Sequence, residues 1–108
     1  QLLFALQYCH SKKILHRDLK PANIFLNSKN QAKLGDFGIA KVMSGSSSVS
    51  MAGGTSLAGT MQYIPPEAYE SGPYTEKSDI WSLGVSFYEL CALRLPFGGS
   101  NVLAMVHN

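Results

Sequence analysis

Two short polar runs hold the atoms with which this sequence can do chemistry. His16-Arg17-Asp18-Leu19-Lys20-Pro21-Ala22-Asn23 places a carboxylate, a lysine and an amide within six residues, Asp18 to Asn23. Gly35-Asp36-Phe37-Gly38 adds a second carboxylate, Asp36, thirteen positions after Asn23. A carboxylate such as Asp18 can orient a hydroxyl and accept its proton. Lys20, two residues on along an extended loop, points to the same side and can neutralise an anion. Asn23 and Asp36 supply an amide oxygen and a carboxylate, the hard oxygen ligands that magnesium takes. Gly35 and Gly38 let the backbone turn tightly beside that second carboxylate. Taken singly, each run also reads as plain structure, a salt-bridged surface loop or a turn after a strand. The specificity lies in the ordered set, because Gly59-Thr60, Pro65-Pro66-Glu67 and Asp79-Ile80-Trp81-Ser82-Leu83-Gly84 follow in turn.

The elements that must position these residues are legible in outline. Residues 1 to 11 read as the C-terminal part of a helix, apolar on most sides, with basic residues near its negative end. Lys13 to Leu15 suggests a short strand, and Pro21 a loop, since proline cannot donate to a ladder. Asn23 to Leu26 and Ala32 to Leu34 read as strands around the turn Asn27-Ser28-Lys29-Asn30. Residues 42 to 66 contain no charged side chain but six serines and four glycines, which predicts a long mobile loop. A helical turn through Tyr69 follows. From Ser78 to about Leu93 the apolar residues Ile80, Trp81, Leu83, Val85, Phe87, Tyr88, Leu90 and Leu93 surround the helical wheel, the pattern of a buried helix. Asn101 suits the cap of a further helix.

The composition excludes several classes. The chain has 108 residues, 9 basic and 7 acidic, and a net charge of +2, so no polycationic stripe for nucleic acid is present. At 45% hydrophobic residues the chain as a whole is not disordered. Cys9 and Cys91 stand far apart in no metal-ligand spacing and read as two buried thiols in a reducing compartment. The apolar stretch Ile80 to Leu95 carries Glu89 and Arg94 and falls short of a membrane span of about 20 residues.

The ordered motifs resemble those of the eukaryotic protein kinases of the serine/threonine type, over essentially the whole chain. The resemblance implies an α+β fold: a kinase-like large (C-terminal) lobe, mainly helical, with short strands around the catalytic loop. Residues 1–108 then form a partial kinase domain, with the catalytic loop at 16–23, the Asp-Phe-Gly motif at 36–38, an activation segment at 36–67 and a buried helix at about 78–93. The implied activity is transfer of the ATP γ-phosphoryl group to Ser or Thr hydroxyls of proteins, with Mg2+ or Mn2+.

Residue by residue, the resemblance assigns Asp18 and Lys20 to catalysis, Lys20, Asn23 and Asp36 to ATP phosphates, and Asn23 and Asp36 to the metal. His16, Arg17, Phe37, Gly38 and Asp79 would position the loops, Asp79 by anchoring the backbone of the catalytic loop. Lys20 is the serine/threonine-type choice, and Thr60 agrees as a residue of the substrate groove. Arg17 beside Asp18 marks the type switched by phosphorylation of the activation segment, at Ser56 or else Thr55. Tyr63 and Tyr74 read as packing or groove residues, and Trp81 as core. The runs Ser56 to Thr60, Lys77 to Gly84 and Tyr88 to Leu93 are most similar to the NIMA-related kinases. Pro65-Pro66-Glu67 departs slightly from the usual Ala-Pro-Glu, and the Ser/Gly stretch lengthens the segment.

The small lobe, with its glycine-rich loop, strand lysine and helix glutamate, and the last large-lobe helices are absent from this stretch. A piece of this size is expected neither to fold stably alone nor to be active. The alternatives are a pseudokinase acting as a scaffold, which the presence of Asp18, Lys20, Asn23 and Asp36 argues against, and a small-molecule phosphotransferase, which would not carry the groove motifs. The implied partners are a protein substrate and an upstream or self-phosphorylating activator, with no nucleic acid and no membrane. The implied setting is intracellular and cytoplasmic, with cytoskeletal or nuclear association.

Overall fold

The computed structural model describes residues 1–35, 61–70 and 72–98, and the backbone of 41–42. Its first helix, α1, spans Leu2–Ser11. Leu2 and Leu6 lie one turn apart on its inner face and are buried. The helix stops where Lys13 takes a left-handed backbone, φ 59°. The Lys13 N–H there closes on His10 O at 2.9 Å.

A strand, β1 (Ile14–Leu15), leads into the loop that begins at His16. Pro21–Asn23 forms a 3₁₀ turn where a loop was expected. Proline suits the first position of such a turn because its missing N–H would have no partner there. The strands β2 (Ile24–Leu26) and β3 (Ala32–Leu34) pair antiparallel, Phe25 facing Lys33. Their turn is organised by Asn27, whose Oδ1 accepts the N–H groups of Lys29 and Gln31, each at 2.9 Å. Lys41–Val42 forms β4, which pairs antiparallel with β1. Val42 therefore belongs to a strand, and residues 61–63 to a 3₁₀ turn, so both ends of the expected long loop are ordered structure. The serine-rich residues between them, and Asn101, lie outside the described residues.

A short helix, α2 (Pro66–Tyr69), and the longer α3 (Glu76–Ala92) complete the described fold. Helix α3 begins two residues before the expected Ser78. Thr75 caps it, accepting the Lys77 N–H at 3.2 Å, while Ser78 Oγ accepts the Thr75 N–H at 3.0 Å. Leu93 is the cap at the other end, in a left-handed conformation.

The core joins Leu2 and Leu6 of α1, Leu19 of the loop and Leu83 of α3, with Ile24, Ala32 and Leu34 of the hairpin packed on it. Each buried leucine contributes about 1.5–3 kcal/mol. Helix α3 is not buried all round within this chain. Its inner face carries Ser78, Asp79, Ser82, Leu83, Val85 and Ser86, while Ile80, Phe87, Tyr88 and Leu90 are exposed. Trp81 is 37% exposed rather than core, its ring stacked on Phe97 at 5.5 Å. The cysteines also depart from expectation: Cys9 is half-buried and Cys91 exposed. No helix among the described residues is long and apolar enough to cross a membrane.

Candidate active site

The site is organised around a carboxylate with no solvent exposure. Asp79, one turn into α3, is 0% exposed. Burying an ionised carboxylate costs several kcal/mol unless donors meet it. Four do. His16 N–H and His10 Nε2–H donate to Oδ2 at 2.9 and 2.8 Å, and Arg17 N–H and the Tyr74 hydroxyl donate to Oδ1 at 3.0 and 2.9 Å. Two of these donors are consecutive amides of the loop, so α3 holds the loop by its backbone. The helix start itself is capped by Thr75 and Ser78, which leaves Asp79 to the loop.

His16 is fully buried beneath the loop. Its Nε2–H donates to Gly35 O at 2.9 Å and its Nδ1 accepts the Asp18 N–H at 3.2 Å. This pair of bonds selects one neutral tautomer and ties the Asp18 backbone to the end of the β2–β3 hairpin. Gly35 N–H in turn donates to Asn23 O at 3.0 Å. Gly35 lets the Phe25 ring lie close: a Cβ would stand 2.5 Å from Cε2 of Phe25, which would have to move.

Asp18, Lys20 and Asn23 converge. Asn23 is buried and its Nδ2 donates to Asp18 O at 2.7 Å and to Asp18 Oδ2 at 3.1 Å. That use of Nδ2 leaves the amide oxygen of Asn23 as the atom with which it could hold a cation. Lys20 Nζ lies 3.5 Å from Asp18 Oδ1, an ion-pair distance longer than a charge-assisted hydrogen bond. No hydrogen bond from the described residues reaches Oδ1, although it is buried. A buried carboxylate oxygen without a donor is an acceptor held in reserve.

Arg17 adopts φ 70°, a left-handed conformation that a side chain disfavours. Its guanidinium carbon sits 5.6 Å from the centre of the Tyr74 ring. Its Nε is buried without a hydrogen-bond partner among the described residues. Asp36, Phe37, Gly38, Thr60, Ser56 and Thr55 lie outside the described residues.

Three side chains at this site were not assigned these roles by sequence reasoning. His10 read as the polar end of α1, yet it reaches Asp79 across 69 positions. Tyr74 read as packing, yet it bonds Asp79 and covers Arg17. Tyr63 donates to Glu89 Oε2 at 2.6 Å, and Ser82 Oγ donates to Tyr63 O at 2.8 Å, which seats the 61–63 turn on α3.

Comparison with known proteins agrees with this geometry. A sequence model described as the protein kinase domain matches residues 1–108. Serine/threonine-protein kinase Nek2 of Mus musculus is 48% identical over 106 residues, covering 94% of this chain and 23% of the relative. Nek3 of Mus musculus is 46% identical, covering 90% of this chain and 18% of the relative. Nek5 of Homo sapiens is 46% identical, covering 98% and 14%. The chain thus spans less than a quarter of the length of these relatives.

Proposed function

Because this chain belongs to the protein kinase family, we propose that it carries the catalytic loop of a NIMA-related serine/threonine kinase, as part of the large lobe, and that the whole protein phosphorylates protein Ser or Thr hydroxyls. The observation that carries this reading is Asp18 Oδ1, buried, without a hydrogen-bond donor among the described residues, and 3.5 Å from Lys20 Nζ.

Phosphoryl transfer needs a positioned nucleophile and neutralised phosphate charge more than covalent help. Asp18 Oδ1 orients the substrate hydroxyl and accepts its proton. Asn23 holds the other carboxylate oxygen, so the carboxylate does not rotate away. Lys20, anchored beside Asp18, supplies positive charge where the transferring group meets the hydroxyl. Asn23 offers an amide oxygen and Asp36 a carboxylate, a hard-oxygen donor set that fits Mg2+ and, less selectively, Mn2+. ATP bound with that ion supplies the phosphoryl group. Gly38 and Phe37 set the position of Asp36, Thr60 lines the substrate groove, and a phosphate on Ser56, or on Thr55, is received by Arg17. ATP as donor places the reaction inside the cell.

The test uses the full-length protein that contains this sequence, with Mg-ATP, a protein substrate and an Asp18→Asn variant. Transfer onto serine or threonine, reduced about 10²–10⁴-fold in the variant, is the expected result. A folded full-length protein that transfers no phosphate, with Ser56 phosphorylated, would overturn the reading.

A further inference from the structure

Tyr74 meets Arg17 directly through its ring and indirectly through Asp79. Its ring lies under the guanidinium at 5.6 Å, within the range of a cation–π contact. Its hydroxyl donates to Asp79 Oδ1, the same oxygen that accepts the Arg17 N–H. Arg17 holds a left-handed backbone that does not persist without support. Among the described residues its buried Nε has no hydrogen-bond partner, and the contact the guanidinium makes there is with the ring. Asp18 is the next residue, and the Arg17 dihedrals set the direction in which the chain delivers it.

We infer that Tyr74 is a positioning residue for the reaction: its ring holds the Arg17 side chain, its hydroxyl steadies the Asp79 oxygen that accepts the Arg17 N–H, and through Arg17 it aims Asp18. The inference rests on the reading of Asp18 given above. Burial, and then the charge of Asp79, hold the Tyr74 hydroxyl well above the usual tyrosine range, so it stays a donor at neutral pH.

The experiment measures kcat and the ATP KM of the full-length protein, normalised to folded enzyme by thermal melting. The variants are Tyr74→Phe, Tyr74→Leu, Arg17→Ala and Arg17→Ala with Tyr74→Leu. Tyr74→Phe keeps the ring and loses the hydroxyl; kcat should fall about fivefold with the ATP KM unchanged. Tyr74→Leu loses both contacts and should lower kcat by about thirtyfold, a loss of about 2 kcal/mol. The double variant should be no slower than the slower single one, because both act on one contact. Wild-type kcat in Tyr74→Leu, or losses that multiply in the double variant, would overturn the inference. If Tyr74→Leu does not fold, Tyr74→Phe decides: wild-type kcat there overturns it. A wild-type protein with no transferase activity overturns the kinase reading instead, and this inference with it.

Discussion

Asp79 Oδ2 accepts the His16 N–H at 2.9 Å across 63 positions of sequence. With the Arg17 N–H on Oδ1, this contact makes the buried start of α3 a mount for the loop that carries Asp18. The mount is rigid because its acceptor lies away from water and its donors come from three parts of the chain: α1, the loop and the segment before α3.

Replacing Asp79 by Asn should therefore do more than remove a charge. An amide offers one acceptor oxygen where four donors arrive, and its NH2 group would face two of them. The expected loss is about 3 kcal/mol of stability together with phosphotransfer. Chemical denaturation of the full-length protein beside wild type measures it; an unchanged midpoint would show that the carboxylate does not hold the loop.

The start of α3 depends on a reciprocal cap between Thr75 and Ser78. Thr75→Ala should lower stability by about 1 kcal/mol, whereas Thr75→Ser should leave it near wild type. Ser78→Ala should cost more than Thr75→Ala, since Ser78 Oγ also donates to Glu67 Oε1 at 2.9 Å. Melting temperatures of the three variants rank these effects.

Gly35→Ala places a methyl group against the Phe25 ring, 2.5 and 2.8 Å from two of its carbons. Phe25 is exposed and can swing aside, so the cost should be modest, about 1 kcal/mol. Combining it with Phe25→Ala should recover most of that loss. A larger loss that Phe25→Ala does not relieve would place the strain in the backbone instead.

Alkaline pH should weaken the fold through two tyrosines. Burial first, then the hydrogen bond and charge of Glu89, push the Tyr63 hydroxyl above its ordinary value of 10.0. Burial first, then the charge of Asp79, push Tyr74 in the same direction. A raised folded-state pKa means that the native state keeps a proton the unfolded chain releases. Its contribution is complete below pH 10 and is lost as pH rises from there through the raised folded values. Between about pH 9.5 and 11.5 the wild-type melting temperature should fall more steeply than that of the Tyr63→Phe variant. Parallel slopes would remove Tyr63 from this account.

Much of the local architecture was legible before any coordinates. Turn chemistry at Asn27 to Asn30 placed the β2–β3 hairpin, and apolar spacing placed α1 and α3 to within two residues of their observed bounds. Burial was less legible. A helix apolar on every side predicts neighbours on every side, but among the described residues α3 has them on one face, leaving Trp81 stacked on Phe97 at the surface. Cys91 is exposed for the same reason.

What the sequence by itself determined is what depends on neighbours in the chain: the order of Asp18, Lys20 and Asn23, the caps and turns, and the family those motifs share. Helix period, turn chemistry and motif spacing act over a few residues, so they are written in the sequence. What only the tertiary structure decided is which distant groups meet. That Asp79 gathers His10, His16, Arg17 and Tyr74, that Tyr74 lies against Arg17, and that Tyr63 finds Glu89 all follow from how α1, the loop and α3 pack on Leu6, Leu19 and Leu83. A buried carboxylate is stable only with donors around it, and local sequence does not specify which residues the fold will bring there.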